Sequence, residues 1–234
     1  MNSSIIIKIG GSIIYDNSLN VNKELLDKLK EWYRRKRGDY KNLIIVVGGG
    51  TLSRELQNKI AKHVGEEEFL HSIGMSVTHT NANLVRAYLG DPEIVVPQRL
   101  GEAYELLVGR EKNTIVCGGL KVGWSTDMDA ALFADILGKS KINKLSSIDY
   151  IYDKDPTAAG DVTPIKDLTW KEYFKLFDIK ADSIHSPNKN IPIDVECARF
   201  CKGKGISFWI SGGKRIREAK LFEDIMSDGT LVHP

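Results

Sequence analysis

Three glycine-rich stretches could do backbone chemistry: Gly10-Gly11-Ser12, Gly48-Gly49-Gly50, and Gly118-Gly119 with Gly123. Each follows a short apolar run and precedes a segment of helical spacing. Glycine lets backbone N–H groups approach an anion closely, and the N-terminus of the next helix adds a favourable dipole. One such turn is an ordinary strand-to-helix connection, whereas three at one sheet edge point to an anion site. Lys8 interrupts the apolar run Ile5-Ile6-Ile7-Lys8-Ile9, two residues before Gly10. That position is costly unless the ammonium snorkels to water from an edge strand or meets an anion. Arg54 falls on the first turn of the helix after the triple glycine, where a cation opposes the dipole and needs an anion or plain solvent. Ser125-Thr126-Asp127 opens another helix. One of the three can serve as its N-cap, and two hydroxyls beside a carboxylate suit phosphate binding. Neither a G-x-x-x-x-G-K-S/T loop nor a G-x-G-x-x-G fingerprint after the first strand is present.

The elements that must position these residues alternate. Strands are predicted at 5–9, 43–47, 93–96, 113–117, 142–148, 206–210 and 230–232. Helices are predicted at 21–37, 51–63, 67–89, 99–108, 127–137, 168–177, 193–202 and 216–226. Short β-branched strands alternating with helices predict an α/β fold, a three-layer αβα sandwich with a largely parallel central sheet. In such sheets ligands bind at the carboxyl ends of the strands, where the three glycine turns fall. A chain of 234 residues with no repeat or linker reads as one domain, residues 1–234. Segment 154–192 is the least regular and the most open to movement.

Hydrophobic residues at 42% and charged residues at 27% describe an ordinary globular chain, and a net charge of +2 gives no reason to expect nucleic acid. The basic run Arg34–Arg37 ends a predicted helix and complements its dipole. Cys117, Cys197 and Cys201 cannot all pair with one another and lack zinc-site spacing, so free thiols in a reducing compartment are expected. Cys197 and Cys201 share a helix face. The start, Met1-Asn2-Ser3-Ser4-Ile5, has no basic region before its apolar run, and no stretch approaches the ~20 apolar residues of a membrane span. A cytoplasmic location is expected, with no membrane partner.

Lys8-Ile9-Gly10-Gly11-Ser12, Gly48-Gly49-Gly50 with Arg54, Ser125-Thr126-Asp127, and Ile148-Asp149-Tyr150-Ile151-Tyr152 with Asp155-Pro156 occur in an order that resembles the amino acid kinase superfamily. The likeness spans essentially the whole chain. Within the superfamily it is most similar to the uridylate kinases. The triple glycine followed by Arg54, and Ile73-Gly74-Met75 followed by Asn81-Ala82, are patterns of that group.

The resemblance implies a kinase that transfers a phosphoryl group from ATP to a small acceptor, with UMP going to UDP the leading expectation. Lys8 would stabilise the transferred group and Asp127 would organise the catalytic residues. Gly10, Gly11 and Ser12 would cradle the ATP phosphates, with Gly50, Arg54 and Lys144 facing them as well. Ser146, Asp149, Tyr152 and Asp155 would lie along the ATP base and ribose. Gly49, Arg54, His71, Gly119, Trp124, Ser125 and Thr126 would form the acceptor site. Mg²⁺ would arrive on the nucleotide phosphates, with no dedicated protein ligand set. The resemblance also implies a homo-oligomer built from dimers, up to a hexamer.

Three positions depart from that pattern. His71 stands where uridylate kinases usually carry an aspartate that would contact the acceptor ribose. Tyr150 replaces a glycine, which would impose strain of about 1–3 kcal/mol if the position needs positive φ. Trp124 stands in Lys121-Val122-Gly123-Trp124, where archaeal relatives tend to carry a Pro-Gly-His-like stretch. The sequence therefore also admits two other readings: a kinase for a different small phosphate, carboxylate or alcohol, or a non-catalytic oligomer that binds nucleotide or oxyanions.

Overall fold

The computed structural model describes residues 4–16, 18–109, 111–154, 161–180 and 191–234. Strand β1 (Ser4–Ile9) leads through a 3-10 turn to helix α1 (Lys23–Lys36), strand β2 (Asn42–Val47), and helices α2 (Gly50–Ile60), α3 (Glu67–Leu89) and α4 (Leu100–Gly109). Strand β3 (Asn113–Cys117), helix α5 (Thr126–Ile136) and strand β4 (Lys141–Ser146) complete the first half. Short strands β5 (Ile151–Tyr152), β6 (Pro164–Ile165) and β7 (Asp167–Thr169) precede helices α6 (Trp170–Leu176) and α7 (Val195–Lys204). Strand β8 (Ser207–Gly212), the short helices α8 (Arg215–Glu218) and α9 (Phe222–Ile225), and strand β9 (Thr230–His233) close the chain.

Seven strands form one sheet in the order β3-β2-β1-β4-β8-β9-β7, and only the β8–β9 pair is antiparallel. The period of two in β1 sends Ile7 and Ile9 to one face and Ile6 to the other. The Ile7 face packs against Leu25, Leu26, Leu29 and Trp32 of α1, Val85 of α3, and Ile216, Phe222 and Ile225 of α8 and α9. The Ile6 face packs against Ala130 and Phe133 of α5, Trp170 and Tyr173 of α6, and Cys197 and Cys201 of α7. Both faces are thus covered, which gives the three-layer α/β architecture. A sheet buried on both sides explains why β2 is apolar from Leu43 to Val47 with no alternation.

Several elements differ from expectation. Strands β5, β6 and β7 are additions, and β7 (Asp167–Thr169) takes the start of the helix expected at 168–177, which begins at Trp170 after its Thr169 N-cap. The strand foreseen at 93–96 reduces to a single bridge between Val95 and Ile115, because Pro92 and Pro97 flank it and cannot donate to a ladder. The helix foreseen at 216–226 is broken between Glu218 and Phe222. In an unbroken helix Ile216 and Phe222 would sit roughly 240° apart, at about 100° per residue, and could not both enter the same core. Of the segment expected to move, 154–192, residues 155–160 and 181–190 lie outside the described set, and 161–180 holds β6, β7 and α6.

Candidate active site

β1 lies between β2 and β4 in the interior of the sheet, so Lys8 is no edge-strand lysine. It is only 8% exposed and stands on the face of Ile6, in register with Lys144 of β4. Two ammonium groups side by side in a low-dielectric setting repel, and each loses hydration. Asp127, on the first turn of α5, answers both. Its Oδ1 lies 3.1 Å from Lys8 Nζ, and its Oδ2 accepts a hydrogen bond from Lys144 Nζ, which also donates to the Pro192 carbonyl. Burial depresses the Lys8 ammonium; Asp127 opposes that shift and Lys144 reinforces it. Burial alone would raise the Asp127 carboxyl, but Lys144 and Lys8 outweigh it and hold the group below its ordinary range. Two cations share one anion here, so the buried cluster keeps a net positive charge toward the carboxyl ends of β1 and β4.

The first two glycine turns meet beside this cluster. A Cβ on Gly11 would fall 2.4 Å from the Gly48 carbonyl oxygen and from Gly50 N, and one on Gly50 would fall 2.2 Å from Ser12 N. Gly50 also adopts φ of +64°, a left-handed conformation that favours glycine. A Cβ on Gly48 would lie 3.5 Å from Lys8 Nζ and 3.4 Å from Thr126 Oγ1, which places the lysine, the second turn and the start of α5 in contact range of one another. Asn81 of α3 latches this turn, donating to the Gly48 carbonyl at 2.8 Å while accepting from the Tyr15 hydroxyl at 2.9 Å. Gly10 extends β1 by donating its N–H to the Leu145 carbonyl at 2.9 Å.

Ser125 is the N-cap of α5: its hydroxyl accepts from Met128 N at 3.0 Å and donates to Asp194, the N-cap of α7. Thr126 is left as the hydroxyl beside Gly48. Arg54 is exposed on α2, reaches Thr51 Oγ1 at 3.4 Å, and among the described residues has no carboxylate partner. Ser146 ends β4 and accepts from Gly213 N through its carbonyl at 3.0 Å. Asp149 and Tyr152 follow, half-buried, and Asp149 Oδ1 has no hydrogen-bond partner among the described residues. Trp124 is 37% exposed, with the Lys121 ammonium 4.1 Å from its ring centroid. His71 engages Glu67 of its own helix at 3.6 Å. Asp155 lies outside the described residues.

Tyr150 carries no backbone strain: the positive-φ non-glycine residues among those described are Leu19 and Asp178. Its ring lies between the Lys166 and Arg215 cations, each 4.6 Å from the centroid, and its hydroxyl donates to Asp228. The position therefore tolerates a side chain because the turn does not need glycine, and the ring is anchored to the β8–β9 end of the sheet.

Residues that sequence reasoning passed over complete the frame. Thr78 and His79 of α3 hold Gly119, and Asp129 of α5 holds Leu120. A signal existed for the first: Gly74, Thr78, Asn81 and Val85 form one buried helical stripe, in which two polar residues are out of place. Asp129 carries no such signal, since an acid in a first helical turn is a favoured arrangement.

The model of the amino acid kinase family matches residues 3–211. The uridylate kinase of Ignicoccus hospitalis is 30% identical, covering 99% of both chains, and that of Pyrococcus abyssi is 29% identical over 98% of this chain and 99% of that one. The crystal structure of a uridylate kinase from Archaeoglobus fulgidus superposes with a TM-score of 0.76 at 22% identity, covering 98% of this chain and all of that one. The chain belongs to the amino acid kinase family, and within it to the uridylate kinases.

Proposed function

We propose that the chain, acting as one domain, transfers the γ-phosphoryl group of ATP to UMP, giving ADP and UDP. The observation that carries this reading is the buried Lys8–Asp127–Lys144 cluster, whose surplus positive charge lies beside two interlocked glycine turns. A buried net charge without an anion is costly, and a transferring phosphoryl group supplies that anion. Phosphoryl transfer through a loose transition state asks little covalent help of the protein, mostly alignment and positive charge around the equatorial oxygens.

In this reading Lys8 and Lys144 face the transferring group from adjacent strands. Asp127 holds both ammoniums at a fixed separation and keeps them from collapsing onto one phosphate oxygen. Gly11, Ser12 and Gly50 direct backbone N–H groups at the ATP phosphates, and Gly10, whose own N–H is held by the Leu145 carbonyl, lines the turn beside them. Gly49, Arg54 and Thr126 hold the acceptor phosphate, Gly119 lines its site with its own N–H held by Thr78, Trp124 closes over the acceptor, and His71 lies at its rim. Ser146, Asp149 and Tyr152 border the base and ribose of ATP, with Asp155 expected nearby. Mg²⁺ fits as an ion carried by the nucleotide phosphates, where it would neutralise charge between the donor phosphates. Among the described residues no group of three or more His, Cys, Asp or Glu could hold a metal, and no helix is long and apolar enough to cross a membrane. A cytoplasmic homo-oligomer built from dimers completes the proposal.

The deciding experiment is a panel of nucleoside monophosphates with ATP and Mg²⁺ in a coupled assay for ADP. Turnover of UMP far above CMP and AMP is expected. Measurable ATP binding with no ADP formed from any acceptor would overturn the assignment.

A further inference from the structure

The turn after β3 is held from two sides. On the α3 side, Thr78 Oγ1 accepts the Gly119 N–H at 2.7 Å while donating to the Met75 carbonyl at 2.6 Å. His79 Nε2 lies 2.6 Å from the Gly119 carbonyl oxygen, which can only accept, so the ring proton sits on Nε2. A Cβ on Gly118 would fall 2.5 Å from Thr78 Oγ1, so the turn already touches α3 and has no room to move that way. On the α5 side, Asp129 Oδ2 accepts the Leu120 N–H at 3.3 Å.

Asp129 is the member of this clamp that needs a reason. It is fully buried, and its Oδ1 has no hydrogen-bond partner among the described residues. A half-satisfied buried carboxylate is a poorer core residue than an apolar one of similar size. Burial raises this carboxyl to about 7, against the Leu120 N–H, and the charges of Asp127 and Asp194 add to the rise. The buried Cys117 thiol is its neighbour at the end of β3, itself raised by burial and by Asp129. Among the described residues no cation pairs with Asp129, and the Leu120 N–H is the one hydrogen-bond partner of its side chain. Leu120 is 4% exposed, so no bulk water can replace that acceptor.

We propose that Asp129 is a positioning residue for the phosphate acceptor: by holding the Leu120 N–H, opposite Thr78 and His79, it fixes where the Gly118–Leu120 turn, and the Lys121 and Trp124 side chains that follow it, stand against the acceptor. The inference rests on the reading of this turn as part of the acceptor site. Lys121 and Trp124 follow directly from the turn, so a shift at Leu120 is passed on to both. Among the described residues the donor side, built on β1, β2 and β4, shares no hydrogen bond with this clamp, so the larger response is expected on the acceptor side.

The test is steady-state kinetics of wild type, D129N, D129A and T78V, with UMP varied at saturating ATP and the converse, and folding checked by circular dichroism. D129A should raise the KM for UMP about tenfold, as expected for loss of one positioned hydrogen bond, with kcat and the KM for ATP within about twofold. D129N keeps an oxygen for Leu120 and should stay within about threefold of wild type, since it is the acceptor atom that matters. T78V, which removes the opposing acceptor without touching α5, should show the D129A pattern. If D129A does not fold, D129L, which fills the space, is read in the same way. An unchanged KM for UMP in folded D129A or D129L would overturn the proposal, as would a parallel rise for both substrates or a D129N variant as impaired as D129A. A wild-type protein that turns over no UMP would instead remove the functional reading beneath it.

Discussion

Lys8 and Lys144 are register partners on neighbouring parallel strands, and one carboxylate, Asp127, reaches both ammoniums. Like charges placed directly across a strand pair repel. The arrangement holds because Asp127 lies against both ammoniums and the Pro192 carbonyl accepts a further hydrogen bond from Lys144.

Replacing Lys8 with alanine removes charge at the transferring group while Asp127 keeps Lys144 as its partner. The kcat should fall by about 10²–10³ or more, the range seen when one preorganised electrostatic donor is lost, with the unfolding midpoint little changed. A coupled ADP assay alongside thermal unfolding reads both. A near-normal kcat would take Lys8 out of the reaction.

Asp127→Asn should damage the fold as well as the chemistry. It leaves two buried ammoniums without a counter-ion, a change that costs about 3–5 kcal/mol. Urea titration measures this loss. Adding Lys144→Met should recover part of the stability, because it removes the repulsion, without restoring turnover. Equal stability of wild type and Asp127→Asn would show that the cluster is solvated rather than buried.

Asp129 makes stability depend on pH in a predictable direction. Its carboxyl titrates near 7 in the folded chain against 3.8 for an ordinary aspartate. Between those values the folded state holds a proton that the unfolded state has released, so stability falls as pH rises through this window and levels off above it. Three pH units of difference amount to about 4 kcal/mol, an upper figure. Urea titrations of wild type and Asp129→Asn at pH 5 and pH 8 isolate the effect. The asparagine variant should gain on wild type at the higher pH, and a gap that does not change with pH would mean that Asp129 does not titrate there.

Arg54 should separate binding from stability. Its guanidinium is exposed, so Arg54→Ala should leave stability within about 0.5 kcal/mol. The KM for UMP should rise about tenfold or more through loss of a charge-assisted phosphate contact, read in the same coupled assay. An unchanged KM for both substrates would mean that Arg54 faces only solvent.

Much of this was legible in the linear chain. The apolar runs, their spacing and the glycines that end them are local properties, and they predict β1, β2, β3 and α3 closely because backbone geometry and burial periodicity act over a few residues. Lys8 stood out because a lysine is out of place in an apolar strand, the glycine turns because they recur at three strand ends, and Asp127 because two hydroxyls precede it and the family resemblance marks it. Pairings across the sheet are another matter. That Lys8 sits on an interior strand, that Lys144 stands beside it, and that Asp127 joins them follow from a strand order of β2-β1-β4, in which residues 136 positions apart become neighbours. Ser125 looked free to bind a substrate until α7 brought Asp194 against it. Asp129, an acid in the first turn of α5, is buried and bonded to the Leu120 N–H only through tertiary packing. Residue types and local spacing thus determine which groups are available for phosphate chemistry. Long-range packing decides which of them are buried, paired and charged, because desolvation and Coulomb energy depend on every neighbour in space and not on the neighbours in sequence.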